Sequence, residues 1–220
     1  MKDIPAIKGK FYVSRLIEEG EHEHQDFKYA ISDARKIARS ISAFANNDGG
    51  RLLIGVKDNG NIVGIPNEED IYMIQHAAEA FCVPPQEVEM TAYKTEHGRV
   101  VLKASIAKSQ VRPVYVKEGD GKLVAYLRVK DENISVPNLM IKAWEMQEKE
   151  SGQLFTFSAA EKALLTFLKD NPLSSVEDYI YSAHISTATA ENIVARLLAA
   201  GVIEMAHTPA GFRLRMVESE

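Results

Sequence analysis

The stretch "SAFANNDGGRLLIGVKDNG", residues 42–60, places a glycine-rich turn directly before a short apolar run and a second turn directly after it. The run from Leu52 to Val56 is too short for a helix, so it predicts a buried strand. Gly49 and Gly50 can turn a corner, because glycine adopts backbone conformations that other residues avoid. The same turn could bind a phosphate, since its backbone N–H groups can converge on an anion with Asn46 as an added donor. The residues alone leave both interpretations open.

Apolar spacing predicts the elements on both sides of this stretch. Residues 31–45 repeat apolar side chains at the spacing of one buried helical face. Asp58, Asn59 and Gly60 favour a hairpin turn, with residues 61–65 as the returning strand. Further along, the pattern predicts a helix at 67–81, strands at 88–94, 100–107, 113–117 and 123–129, and a helix at 139–149. The first 150 residues are therefore predicted to form an α+β domain with a mixed sheet and flanking helices, built from hairpins rather than regular βαβ units.

The last third of the chain has a different pattern. Three helices are predicted at 158–170, 174–182 and 187–200, and two strands follow at 202–207 and 212–217. Three short helices followed by a hairpin is the order of a winged helix, which is a helix-turn-helix variant. We therefore expect two domains, at residues 1–150 and 151–220.

Composition limits the possible partners and locations. The chain has 220 residues and a formal net charge of −5, so any nucleic-acid binding must come from a local basic patch. Its single cysteine, Cys82, excludes an internal disulfide framework and a zinc site made of thiolates. No apolar run approaches the length of a membrane span, and the first residues lack a signal-peptide core. The expected location is the cytoplasm, with no membrane partner.

Three sequence blocks, in order along the chain, resemble one family. They are "GEHEHQDFKYA" at 20–30, "ISAFANNDGGRLLIGVKDNGNIVGI" at 41–65 and "RPVYVKEGDGKLVAYLRV" at 112–129. This pattern resembles the Schlafen AlbA-type domain, also called AlbA_2 or the divergent AAA-4 domain, over roughly residues 15 to 135. A winged helix after this module is similar to the arrangement in many bacterial transcriptional regulators.

The resemblance implies nucleic-acid binding and, in the animal Schlafens, a metal-dependent ribonuclease. The family's active acids are two Glu residues followed by an Asp beyond the glycine turn, and Glu21, Asp26 and Asp58 occupy the matching positions. Asp26 stands where the family usually has Glu before Phe-Lys. Three carboxylates can bind Mg²⁺ or Mn²⁺, which would make these residues the metal ligands and the catalytic groups. The alternative is that they are ordinary surface acids and a turn residue.

Basic side chains recur in the first domain and supply candidate nucleic-acid contacts. These candidates are Lys28, Arg35, Lys36, Arg39, Arg51, Lys57, Arg112 and Arg128. In the second domain, the candidates lie in the third helix and in the hairpin, at Thr187, Thr189, Asn192, Arg196, Arg213 and Arg215. Phosphate contacts usually supply much of the affinity of a winged helix for DNA. Because cations are few here, this domain could bind DNA weakly or dock a protein, and both alternatives stay open.

The leading interpretation is a cytoplasmic nucleic-acid-binding protein that acts as a DNA-binding transcriptional regulator. The animal Schlafens join two such lobes into a groove, so the resemblance implies a homodimer here. One alternative is the Mg²⁺- or Mn²⁺-dependent ribonuclease. Another is an ATP-binding sensing module with Asn46, Gly49 and Gly50 as its cofactor-binding turn, although no G-x-x-x-x-G-K-[ST] signature of a conventional NTPase occurs. The sequence does not choose between DNA and RNA.

Overall fold

The computed structural model describes residues 4–95, 98–150 and 157–217. The chain divides into two compact units, Met1–Ser135 and Val136–Glu220, and each unit has its own hydrophobic core. The second unit therefore begins before the helix at 138–150, which we had assigned to the first domain. Among the described residues, no helix combines the length and the apolar character needed to cross a membrane.

The described part of the first unit contains two sheets and three helices. The helices are α1 (Lys10–Glu18), α2 (Ala34–Asn46) and α3 (Glu69–His76), and α3 continues as a π-helical turn at Ala77–Phe81. One antiparallel sheet consists, in this spatial order, of β4 (Cys82–Val83), β7 (Tyr115–Lys117), β8 (Leu123–Val129) and β9 (Glu132–Ser135). The five strands of a mixed sheet are β1 (Ile7–Lys8), β2 (Gln25–Lys28), β3 (Gly50–Ile54), β5 (Val88–Lys94) and β6 (Val100–Ile106). Their spatial order is β1-β5-β6-β3-β2, with β1–β5 and β2–β3 parallel. The predicted mixed sheet with flanking helices is therefore confirmed.

Helix α2 lies in the main core of the first unit. Ile41 and Phe44 pack in one cluster with Leu52 of β3 and Val116 of β7, so the helix contacts both sheets. The opposite face of the five-stranded sheet has a separate core, where α1 packs against residues such as Leu53. Neighbouring residues of β3 thus serve different cores, because successive side chains of a strand point to opposite faces.

Two expectations about connectivity were wrong. The segment β2–α2–β3 is a parallel βαβ unit, whereas hairpins alone had been predicted. Residues 61–65 do not form the returning strand of a hairpin, and only an isolated bridge joins Val56 to Ile62. The reason is that β3 already pairs with β2 on one edge and with β6 on the other, so a returning strand has no free edge.

Close packing explains the glycine pair at the corner between α2 and β3. Gly49 has a φ of +80°, in the region that glycine adopts most easily, and an added Cβ would meet the Ile106 carbonyl oxygen at 2.8 Å. A Cβ at Gly50 would overlap the ring of Phe44, which is fully buried. The corner interpretation of these two glycines is therefore supported by geometry at both positions.

The second unit contains four helices and a hairpin within its described residues. They are α4 (Asn138–Glu150), α5 (Ala159–Asp170), α6 (Val176–Ala183), α7 (Thr187–Ala199), β10 (Ile203–Thr208) and β11 (Gly211–Met216). A capping box opens α5, since Ser158 and Glu161 each accept the other's backbone N–H. The Leu214 N–H donates to the Ser174 carbonyl, so the segment between α5 and α6 joins the edge of the hairpin.

We expect Gly50→Ala to lower the free energy of unfolding by about 1–3 kcal/mol, because the buried Phe44 ring must move to admit the methyl group. Gly119→Ala is the matched control, since its Cβ would meet only the Arg35 Nη1 atom, at 3.8 Å. Urea denaturation followed by circular dichroism measures both variants. Equal stabilities for the two would contradict the packing argument.

Candidate functional site

The candidate site lies where the parallel strands β2 and β3 end. Asp26 and Lys28 point to one face of β2, while Phe27 points to the other and is buried in the core under α1. The Gly55 N–H donates to the Lys28 carbonyl at 2.8 Å, which extends the pairing of the two strands beyond the ladder. The two strands therefore carry Lys28, and the residues that follow each strand, to one edge of the sheet.

Asp26 belongs to a closed set of three hydrogen bonds and one ion pair that we call the polar ring. The Asp26 carboxylate pairs with Arg128 Nη2 at 3.3 Å and accepts from Ser40 Oγ at 3.4 Å. Arg128 Nη1 donates to Asn133 Oδ1 at 3.1 Å, and Asn133 Nδ2 donates to Ser40 Oγ at 3.0 Å. Every member thus contacts two others, which is how buried polar groups avoid the cost of lost hydration.

The structure brings together Glu21 and Asp26, two of the three acids that the resemblance implies as metal ligands. Burial raises the pKa of Glu21, and its hydrogen bond with Asp26 raises it further. Burial alone would also raise the pKa of Asp26, but the hydrogen bond with Glu21 and the charges of Lys28 and Arg128 outweigh burial and lower it. The pair thus divides into a carboxylate that keeps its charge and a neighbour that holds a proton more readily.

The three predicted metal ligands do not form one site. Asp58 is exposed in the turn after β3, and no group of three His, Cys, Asp or Glu residues within the described ranges could hold a metal ion. The Asp26 carboxylate is already paired with Lys28 at 2.8 Å and with Arg128, and Glu21 Oε1 accepts the Phe27 N–H at 2.9 Å. These residues therefore do not fit Mg²⁺ or Mn²⁺, because their oxygens already serve cations and N–H groups of the protein.

The prediction that Arg128 contacts nucleic acid is wrong. Its side chain is 3% exposed, and its guanidinium lies 5.5 Å from the centre of the Phe44 ring as well as in the polar ring. Arg128 therefore neutralises Asp26 inside the protein and cannot meet a phosphate while the first unit is folded.

Two other predicted basic contacts are occupied by ion pairs. Arg39 binds both oxygens of Glu118, at 2.8 and 2.7 Å, and this hydrogen-bonded pairing lowers the pKa of Glu118. Arg51 pairs with Glu19 and donates to Gln25 Oε1. Such pairs reduce the positive charge that either arginine can offer to a polyanion.

The remaining basic candidates of the first unit stay at the surface. Lys36 is exposed, and Arg35 lies over the Phe81 ring at 5.0 Å. Arg112 is half-buried and donates to the Asn46 carbonyl at 3.4 Å. Lys57 is exposed in the turn after β3, whereas the ammonium of Lys28, at the end of β2, pairs with Asp26 at 2.8 Å.

The predicted cofactor residue Asn46 is part of the core. Its amide nitrogen donates to the carbonyls of Val114 and Tyr126 at 3.0 and 2.9 Å, and its Oδ1 accepts the Val114 N–H at 2.8 Å. The amide is therefore engaged in joining α2 to the antiparallel sheet. Together with the packing of Gly49 and Gly50, this placement gives the turn a structural role and leaves it no Asn46 donor for a nucleotide.

Sequence reasoning missed Tyr29, which directly follows Lys28. Its side chain is 59% exposed, and the Lys57 ammonium lies 5.6 Å from the centre of its ring. A lysine ammonium at this distance from an aromatic ring forms a cation–π contact. The sequence signal that could have identified Tyr29 is the alternation of polar and apolar residues at Asp26, Phe27 and Lys28. It ends before Tyr29, where the chain leaves the sheet.

The predicted nucleic-acid contacts of the second unit differ in their exposure and in whether they already bond to other residues of that unit. Thr187 and Thr189 are exposed in the first turn of α7, and Arg213 is half-buried, with Nη1 donating to the Phe212 carbonyl. The other three candidates have partners within the unit: Asn192 accepts from Lys142, Arg196 pairs with Glu161 and Arg215 pairs with Glu204.

We expect Asp26→Asn to lower the free energy of unfolding by about 3–5 kcal/mol, because it leaves the buried Arg128 without its carboxylate. Asp48→Asn makes the same chemical change in an exposed pair with Lys108 and should cost less than about 1 kcal/mol. Urea denaturation measures both. If both variants lost a similarly small amount of unfolding free energy, the polar ring would not depend on the charge of Asp26.

Comparisons with known proteins place this geometry in a family. The family model of the Schlafen AlbA_2 domain matches residues 21–137, and a search of the curated proteins found no match. Among solved structures, the chain is similar to the DIP2311 protein from Corynebacterium diphtheriae, with 21% identity over 87% of this chain and a TM-score of 0.45. It spans 34% of the length of that protein.

A second similar structure is the N-terminal domain of a RecG-related protein from Nitrosomonas europaea. The identity is 22% over 51% of this chain and 82% of that one, with a TM-score of 0.40. Identities and TM-scores at this level carry no information about what the present chain binds. The family model, in contrast, covers more than half of the chain, and the protein therefore belongs to the Schlafen AlbA_2 family.

Proposed function

We propose that the protein binds nucleic acid through the edge of the first unit formed by Lys28, Tyr29 and Lys57, which we call the Tyr29 platform. The observation that carries this proposal is the exposed Tyr29 ring with the Lys57 ammonium 5.6 Å from its centre. Bases stack on exposed aromatic rings regardless of sequence, and neighbouring lysines bind the phosphates. Membership of the AlbA_2 family, for which the resemblance implies nucleic-acid binding, supports the same function.

The acid that lies beside Lys28 has its charge balanced within the protein. Asp26 lies on the same face of β2 as Lys28, but its negative charge is balanced by Lys28 and by Arg128. Its neighbour Glu21 has a raised pKa, so it holds its proton to a higher pH than an ordinary glutamate does. Asp26, which lies on the same face as Lys28, therefore repels a phosphate less than an exposed carboxylate such as that of Asp58 would.

The role of a DNA-binding transcriptional regulator is the finer form of this proposal, and it depends on the second unit as a winged helix. The order of α5, α6, α7 and the hairpin supports this, as does the Ser174–Leu214 bridge that adds a third segment to the hairpin. Helix α7 would then be the recognition helix, with Thr187 and Thr189 exposed in its first turn. The homodimer implied by the resemblance stays a prediction.

We expect Tyr29→Ala to weaken the binding of a single-stranded oligo(dT) or oligo(U) by about 1–3 kcal/mol, because one stacked base loses its ring. Tyr181→Ala is the matched control, since Tyr181 is 82% exposed and belongs to α6 of the second unit. Fluorescence anisotropy at low salt measures the affinities, and comparison of the two probes tests the preference for DNA or RNA. Failure of the wild-type protein to bind either probe would overturn the proposed function.

The recognition role of α7 has a separate test. Thr187→Glu places a negative charge in the first turn of α7, where a helix tolerates it but a DNA phosphate does not. We expect this variant to lose affinity for duplex DNA, while Thr166→Glu, on the exposed face of α5, keeps it. Unchanged binding by Thr187→Glu, measured by gel shift, would favour protein docking over DNA reading by the second unit.

A further inference from the structure

Two lysines lie directly opposite each other at the edge of the five-stranded sheet. Lys8 of β1 and Lys94 of β5 are partners in the parallel register, and both side chains are exposed. Like charges in facing strand positions destabilise a sheet. In the described part of the chain, neither lysine has a carboxylate partner. The pairing thus carries a cost that an anion from outside would remove.

The same two lysines line a cavity. It has a volume of about 570 Å³, and its wall includes Lys8, Lys94, Lys10 and the rings of Phe11 and Tyr12. A second cavity of about 300 Å³ shares Lys10 and Thr95 with the first and adds Arg99. None of the described residues that line these two cavities is acidic. The cavities therefore form one depression with four cationic side chains, which we call the lysine cleft.

An aromatic ring stands at the wall of the lysine cleft. Phe11 is 82% exposed although it belongs to α1, whose Val13 and Leu16 are buried. The Lys10 ammonium lies 5.0 Å from the centre of the Phe11 ring. This is the same combination of an exposed ring and a lysine that Tyr29 and Lys57 form. A phenyl ring has no polar group to hydrogen-bond with water, whereas a nucleic-acid base can stack on the ring.

The turn at 57–62 connects the lysine cleft with the Tyr29 platform. Lys57 begins this turn, and its N–H donates to the Asn61 carbonyl at 3.0 Å. Gly60, Asn61 and Ile62 at the other end of the turn line the smaller cavity, and Arg99 donates to the Ile62 carbonyl. Asp58, the acidic residue of the turn, is not among the residues that line either cavity. One end of the turn thus lies at the Tyr29 ring and the other at the smaller cavity, with the exposed Asp58 and Asn59 between them.

We propose that a single nucleic-acid strand held on the Tyr29 platform continues over the turn at 57–62 into the lysine cleft. There its phosphates lie between Lys8 and Lys94 and a base stacks on Phe11. This inference rests on the proposed function and adds the path of the strand, a second stacking residue and the cations that accompany it. A flexible single strand suits such a path, because its bases can leave their stack one at a time.

The test uses two single-stranded oligo(dT) probes, of about 12 and about 4 nucleotides, within the range of site sizes known for such surfaces. We expect Phe11→Ala to weaken binding of the long probe about tenfold or more, to the level of the short probe. Phe11→Tyr keeps a ring and should bind like the wild type. Lys94→Gln should lower the slope of log affinity against log salt by about 0.7 for the long probe.

A stability measurement separates binding from a structural role. Lys94→Gln removes the repulsion from Lys8, so it should unfold at the same or a higher urea concentration than the wild type while it binds the long probe more weakly. A variant that lost binding because the sheet edge was damaged would be less stable.

The outcomes distinguish this inference from the proposed function. If the wild type binds both probes and Phe11→Ala and Lys94→Gln bind the long probe equally well, the path is wrong and the Tyr29 platform stands. If the wild type binds neither probe, both fail. If Phe11→Ala weakened the binding of inorganic polyphosphate as much as that of oligo(dT), the stacking role of Phe11 would be wrong, because polyphosphate has no bases.

Discussion

The Asp26 carboxylate connects four elements of the first unit that are separated in sequence. Through the polar ring it joins β2 to Ser40 of α2, to Arg128 of β8 and to Asn133 of β9. A buried ion pair of this kind gives little net stability compared with an apolar core, since both charges lose their hydration. Its effect is on register: a shift of β2 by one residue would turn Asp26 toward the apolar core under α1 and leave Arg128 unpaired. Because the polar ring fixes Asp26 in position, Lys28, two residues later, lies at the edge of the candidate site.

Sequence periodicity predicted the elements that have one buried face. The helix predicted at 31–45 and the strands at 88–94 and 123–129 are confirmed within a few residues, because apolar spacing identifies such elements directly. It missed β2, which has only four residues. It also failed for residues 61–65: the local turn signal was correct, but both edges of β3 already pair with other strands. A turn motif reports local backbone preference, whereas strand pairing depends on partners elsewhere in the chain.

The site was predictable only in part for a similar reason. Glu21 and Asp26, which the family resemblance picked out, lie side by side, but the sequence could not show which cations would pair with acids inside the protein. Arg128 resembled a surface arginine on an alternating strand, yet its neighbour Leu127 is buried as well, so alternation failed there. Tyr126 is a further case: burial and its bond to Glu118 raise its pKa to about 12, and its hydroxyl donates to that carboxylate at 2.6 Å. Tyr126 is thus held in place, whereas Tyr29 is the ring that faces water.

Edge protection offers another explanation for the lysines at β1, since charged side chains on an edge strand discourage pairing with other chains. That explanation accounts for Lys8, because β1 is the edge strand of the five-stranded sheet. It does not account for Lys94, which lies on the neighbouring strand, already covered by β1, in the register position that faces Lys8. A neutral or acidic residue at 94 would protect the edge equally and would relieve the repulsion. Edge protection alone therefore does not explain this like-charge pair beside the exposed Phe11 ring, whereas the proposed anion across both strands does.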